Sequence, residues 1–496
     1  MKNNAVKTGL VPYLLLGLLC FIYVLARTLL VGITFDESWT IGISSSKTIG
    51  DILTFNPTTA NNHLLNSILI KLFYYSGIDT TFMARLPNLL SLIGYLYFSS
   101  KICRTFIKEY LGIATFVLLI SNPFMLDFFG LARGYGLSLF FLMGSLYYVL
   151  KFNKSLSVKA ATFALILGGI AVLSHFAILM FWVGLFGVIH LIAFAKNKTG
   201  FFSLLKYTSS TAFVLAATIY FPIQKLRSAN SLWYGGAESL YGDTLYSLVD
   251  YSLANQASIN TNFLILNILI LFFVFALLFY LISNYKTKNI WTQPPVLFTM
   301  LLIIPLCINF FLHHMVGTKL LINRTALFYL PLFALALAFT IKHNRIKNTS
   351  LFMNGVYVLI VFLSVFNLQK NVNLHRTISW FFEGPIPEVL TYLNEKGRSE
   401  NKIFILGSSV MFKSSLSYYQ WKQQYKHVVF DRNLDGNLDK SMADYYLHLT
   451  KPLADIDYDP SRDKVNRYPR KAILKFREEG VVLLSNLKKD NSGLGH

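Results

Sequence analysis

Eleven apolar runs divide this chain, and nothing else in it restricts the fold as strongly. They cover roughly residues 10–32, 84–102, 111–124, 135–151, 159–175, 176–195, 206–222, 262–284, 296–313, 322–341 and 350–368. A helix needs about 20 apolar residues to cross a bilayer. Lipid offers no partner to backbone amides, so spanning segments are helices or closed barrels. Runs of this length predict a polytopic α-helical membrane protein with about 11 transmembrane helices. Composition agrees: 54% of residues are hydrophobic and 14% charged, where soluble chains carry about 25% charged. The first run is longer than a signal-peptide core and predicts an uncleaved helix.

The net charge of +21 would suit a nucleic-acid binder, but its distribution gives a different answer. Lys2, Lys7 and the connections "KICRTFIK", "KFNKSLSVK", "KNKTGFFSLLK", "KTK" and "KHNRIK" all fall on one side of the predicted spans. Glu109 is the one acid among them. Basic short loops mark the cytoplasmic side. The charge therefore reads as topology: N-terminus cytoplasmic, C-terminus outside, no nucleic-acid partner. Cys20, Cys103 and Cys307 lie in or beside apolar runs, so no structural disulfide is predicted.

Residues 1–369 form the predicted membrane domain. Its two long outer loops span 33–83 and 223–261. Within the first, "HLLNSILIKLFYYSG" is too short to span and suits the membrane surface. Counting it as a span would invert every later loop. From 370 to 496 the chain turns polar, with a helix-like "IPEVLTYLNEKG" and strand-like "KIFILGSS", "HVVF" and "GVVLLS". That pattern predicts a small soluble α/β domain on the outer side.

The isolated polar residues gather towards the same outer side. Asp36 and Glu37 follow the first run in "GITFDESWT". Arg85 heads the second run, and Asn62 and His63 precede it. Pro123 closes one helix in "NPFMLDFFGLARGYG", where Asp127, Arg133 and Tyr135 also lie. Lys319 and Arg324 stand in "GTKLLINRTALFYLPLF". Ionisable groups at a membrane boundary are functional candidates by default, while snorkelling side chains and interface anchors are the ordinary alternative. A carboxylate beside an apolar wall becomes a better base. An arginine fork at a helix head suits two phosphate oxygens. Adjacent residues on a helix point about 100° apart, so Asp36 and Glu37 do not share one role. His313 and His314 could hold a metal with Glu37, but no HExxH, paired CxxC or nucleotide fingerprint occurs.

Taken together, "FDES", "NNHLL", "ARLPNLLSLIGYLYF", "NPF…ARGYGL" and "NRTALFYLPLF" occur in an order and spacing similar to those of the GT-C fold membrane glycosyltransferases. The chain resembles most the protein-mannosyltransferase-like and aminoarabinose-transferase-like enzymes of glycosyltransferase family 39 and its neighbours. The resemblance covers residues 1 to about 340. Two places depart from the pattern. Asn-Asn-His stands where His-Pro-Pro is usual, and no acid follows in "ARGYG", the nearest being Asp127.

The resemblance implies an inverting transfer of a sugar from a polyprenyl-phosphate donor to an acceptor hydroxyl on protein, lipid or glycan. It implies Asp36 as general base, with Glu37 beside it. Arg324, with Lys319 or Arg133, would bind the departing phosphate. His63, Asp127, Tyr135 and Arg85 are further site candidates, and a divalent metal is left open. The Lys- and Asn-rich character of the chain points to a bacterial inner membrane, with the C-terminal domain periplasmic. Two alternatives stay open. One is a transporter or flippase of lipid-linked sugars, although no inverted repeat or midplane charge is found. The other is a glycan ligase or polymerase with a diphosphate-linked donor.

Overall fold

All eleven apolar runs are mainly helical, with breaks at 121–122 and 327–328, in the computed structural model, which describes residues 9–75, 81–196, 198–344, 347–431, 443–450 and 470–486. Lys2 and Lys7 lie outside these residues, as do parts of the 196–206 and 342–347 connections. Among the described residues, six helices are long and apolar enough to cross a membrane: Val11–Leu30, Tyr135–Ser155, Phe176–Lys196, Ile259–Ser283, Pro294–Val316 and Ser350–Lys370. Their outward faces stay apolar. Leu14, Leu15, Leu18 and Leu19 are exposed on the first helix, and Phe362, Leu363 and Phe366 on the last. Such continuous apolar surface is stable against lipid rather than water, which makes the chain an integral membrane protein.

Two compact units emerge. The first comprises residues 1–28 and 43–372, the second 29–42 and 373–496. In the helical unit, Tyr135–Ser155 packs on Val158–Ser174 and Thr81–Ile102, and Pro294–Val316 packs on Tyr329–Lys342 and Leu179–Lys196. Every residue from Ala334 to Ile341 is buried, and the alanines let neighbouring backbones approach closely. Helix ends follow local chemistry. Pro294 begins its helix, where its missing N–H costs nothing. Gly317, at φ +71°, ends that helix and donates its amide to His313 O at 3.0 Å, a left-handed cap.

Local structure departs from the sequence expectation at two places. Pro123 does not close a helix. It opens the short helix Pro123–Asp127, whose Asn122 side chain caps Met125 N at 3.0 Å. The loop 223–261 is largely ordered: the preceding helix runs through Pro222 to Ser228, and the helix Tyr246–Ser252 follows.

In the second unit, β1 (Phe404–Ser408), β2 (Val428–Phe430), β3 (Tyr445–Leu449), β4 (Arg470–Phe476) and β5 (Val481–Asn486) form one sheet in the order β2-β1-β3-β5-β4. The pairs β2/β1 and β1/β3 are parallel, β3/β5 and β5/β4 antiparallel. Helix Ile386–Glu400 leads into β1, and Lys413–Trp421 carries the chain from β1 towards β2, as parallel neighbours require. Leu406, Tyr445, Leu447 and Leu483 supply the buried face. The hairpin end is tied by Arg376, 3.0 Å from both Glu478 and Glu479.

Candidate active site

The acidic pair lies in the second unit, at the start of helix Phe35–Ser46. Thr34-Phe35-Asp36-Glu37 is a capping box. Thr34 N and Thr34 Oγ1 each donate to Glu37 Oε2 at 3.1 Å, and Glu37 N donates to Thr34 Oγ1 at 3.4 Å. Glu37 is fully buried and holds the helix start. Asp36, the neighbouring position, is 6% exposed. The pattern T-x-x-E was present in the sequence and is the signal for this role.

Three side chains of the C-terminal segment hold the same stretch. Ile33 N donates to Tyr419 Oη at 3.1 Å. Phe35 N donates to Glu383 Oε2 at 2.7 Å, and the Ser38 and Ser414 hydroxyls are hydrogen-bonded to each other. Glu383 Oε1 in turn accepts from the Ser415 hydroxyl. Burial holds the Glu383 carboxyl well above its usual range, although bonds from Ser415 and Phe35 oppose the shift; Asp36 and Glu37 raise it further. Glu383 carries no motif and was not among the sequence candidates.

The remaining candidates belong to the helical unit. Asp127 meets Arg27 at 2.5 Å, both buried. Arg85 is 1% exposed and donates to Thr28 O at 3.0 Å. These two are thus engaged in interior contacts around the end of the first helix. Arg133 Nη2 donates to Asn61 Oδ1 at 3.1 Å, and its guanidinium lies 5.7 Å from the Tyr135 ring centre. Tyr135 is the hub of an aromatic cluster, 4.9 Å from the ring of His63 and 4.6 Å from that of His175. His63 Nδ1 is 3.1 Å from Ser174 O. A carbonyl can only accept, so the Nδ1 proton is on that side and Nε2 carries a lone pair.

Arg324 lies in the turn Asn323–Ala326. Its Nη1 donates to Tyr234 Oη at 3.1 Å, and its guanidinium sits 4.2 Å from that ring's centre. Asn323, in the left-handed region at φ +49°, donates to the same hydroxyl at 3.0 Å. Leu320 and Gly236 exchange backbone bonds of 3.0 and 2.9 Å. The loop bearing Tyr234 is thereby latched to the loop bearing Arg324. Lys319, beside Leu320, is exposed.

Arg133, Arg324 and the histidines are electrostatically coupled. Burial pushes His63 well below the usual histidine range, and Arg133, His175 and Arg324 push it further; only the Ser174 carbonyl opposes them. Burial disfavours any added charge in this neighbourhood, and the two guanidinium groups disfavour an added proton in particular. Two asparagines that the sequence reading missed set its geometry. Asn88 Nδ2 donates to Asn66 Oδ1 at 2.8 Å, Asn66 Nδ2 to Ala132 O at 3.1 Å, and Leu137 N to Asn88 Oδ1 at 3.1 Å. Both are fully buried, and an amide inside an apolar run was the signal. The bonds brace the 132–137 turn. Gly134 is required there, since a Cβ would stand 2.1 Å from Ser174 O.

Among the described residues, no three or more His, Cys, Asp or Glu side chains are grouped as a metal ion would require. His313 Nδ1 lies 2.7 Å from Thr318 O.

No family model and no curated protein matches the chain. Two solved structures are similar to it. One is ArnT from Cupriavidus metallidurans bound to undecaprenyl phosphate, at 11% identity and TM-score 0.48, over 97% of this chain and 99% of that one. The other is the Archaeoglobus fulgidus oligosaccharyltransferase tethered with an acceptor peptide, at 13% identity and TM-score 0.42, over 84% of this chain and 63% of that one.

Proposed function

We propose that this protein is a GT-C-type glycosyltransferase that moves a sugar from a polyprenyl-phosphate carrier to an acceptor hydroxyl on the outer face of a bacterial inner membrane. The observation that carries the reading is a pair of held arginine forks in the helical unit, Arg133 bonded to Asn61 and Arg324 bonded to Tyr234 and lying 4.2 Å from its ring centre. Together with the ordered sequence motifs, it suits an anionic leaving group held at the end of apolar helices.

In this reading the acceptor oxygen attacks the anomeric carbon as the carbon–oxygen bond to phosphate breaks, inverting that carbon. The acceptor proton passes to the Asp36 carboxylate. The bond electrons leave with the polyprenyl phosphate, whose added charge Arg324 and Arg133 stabilise. Pre-placed cations act most strongly where charge develops. Tyr234 and Asn61 orient the two forks, so little reorganisation accompanies the step. The reading uses no metal.

Purified protein in detergent, given radiolabelled hexose, pentose and aminopentose on undecaprenyl phosphate with cell-envelope acceptors, tests this. Transfer by the native chain and none by Asp36→Asn is expected. Full activity in Asp36→Asn overturns the base assignment. In sealed vesicles, movement of intact lipid-linked sugar without transfer would replace the enzyme reading with a flippase.

A further inference from the structure

We infer that Glu383 is a positioning residue for Asp36, which makes the C-terminal α/β unit part of the transfer machinery rather than an accessory to it. The inference rests on Asp36 being the base, and it goes further by naming what sets that base's position.

Asp36 is the second residue of its helix. The helix start has amides without intrahelical partners, and their satisfaction fixes where the first turn points. Thr34 and Glu37 provide part of this locally. The Phe35 amide, immediately before Asp36, is satisfied by Glu383, 348 residues away in sequence. Glu383 is 2% exposed and is itself oriented by Ser415 on helix Lys413–Trp421. Tyr419 and Ser414, on that same helix, take Ile33 N and the Ser38 hydroxyl. Three side chains from residues 383–419 thus bracket Asp36 on both sides, with Ser415 behind Glu383. Gly32 completes the fit, because a Cβ there would lie 3.0 Å from Pro387 and 3.2 Å from Tyr419 Oη. A capping box alone would hold a helix end. Three further anchors on the six residues Ile33–Ser38 fix the aim of one side chain.

The chemistry predicts which replacements work. A carboxamide at 383 can still accept from Phe35 N and can donate to Ser415, so Glu383→Gln preserves the bracket. Glu383→Ala removes it. Misplacing a reacting group by about 1 Å costs about 10²-fold. We expect Glu383→Ala to lower kcat by about that factor while KM for the undecaprenyl-phosphate sugar stays unchanged, and Glu383→Gln to restore kcat. Tyr419→Phe and Ser415→Ala should give intermediate losses. Hydrogen exchange on the full-length protein in detergent should show faster exchange across 33–41 in Glu383→Ala, with the sheet unaltered. Unchanged exchange across 33–41, or a kcat loss that Gln does not restore, overturns the inference. If Asp36→Asn is inactive while Glu383→Ala keeps full kcat, this inference fails alone. If Asp36→Asn is fully active, the base assignment fails and takes this inference with it.

Discussion

Asp127 and Arg27 meet at 2.5 Å, a hundred residues apart in sequence, with neither more than 5% exposed. That pairing gives Asp127 an interior partner in the helical unit. Breaking a buried pair by removing one partner costs about 3–5 kcal/mol, while replacing both by apolar groups is often neutral. Arg27→Met and Asp127→Leu should each lower the thermal unfolding midpoint in detergent, and the double variant should recover most of the loss. Additive losses in the double variant would contradict the pairing.

Tyr234 and Arg324 give the second test. The hydroxyl of Tyr234 accepts from the guanidinium and from Asn323. Removing it forfeits bonds worth about 1.5–3 kcal/mol to a charged group. Tyr234→Phe is expected to raise KM for the polyprenyl-phosphate sugar at least several-fold with correct folding. Arg324→Lys keeps the charge but loses the fork, and should lower kcat/KM about 10²-fold. Steady-state kinetics decides between this and an Arg324 that only contacts headgroups, for which Lys would serve equally.

The turn at Gly134 yields a steric prediction. A Cβ would meet Ser174 O at 2.1 Å and His63 at 2.9 Å. A backbone carbonyl cannot swing away as a flexible side-chain end can. Gly134→Ala should therefore destabilise the protein by about 1–3 kcal/mol and displace the His63 ring. Thermal unfolding measures the first effect, and the His63 NMR signals report the second.

Glu383 predicts a pH dependence. Its carboxyl titrates higher folded than unfolded, chiefly because of burial. The folded state then binds the extra proton, so stability is greatest at low pH and falls as pH rises from the unfolded value through the folded one. Glu383→Gln removes that slope, since the amide does not titrate. Unfolding midpoints of the two proteins should converge at acid pH and separate towards neutral pH, with the Gln variant the higher.

Glu37 and Asp36 separate by role. Glu37→Ala opens the capping box and should cost about 1 kcal/mol, read as a lower unfolding midpoint with measurable transfer. Asp36→Asn should leave the midpoint alone and abolish transfer. Exchanged outcomes would reverse the two assignments.

Much of this molecule was legible in the chain itself. A lipid-facing helix must be apolar along its length and must satisfy its own backbone. All eleven runs were therefore visible as helices, and "IPEVLTYLNEKG" and three of the strands were visible from their periodicity. The motif residues Asp36, Arg133, His63 and Arg324 stood out because charge is costly beside apolar runs. Their partners did not. Tyr234 reaches Arg324 across 90 residues, Asn66 and Asn88 brace a turn in a third segment, and Glu383 reaches Phe35 across 348. Nor did the sequence reveal that residues 29–42 group with 373–496. Local periodicity records what each segment needs from its surroundings. Which distant segment satisfies a particular amide, guanidinium or carboxylate is decided only when the tertiary structure brings them together.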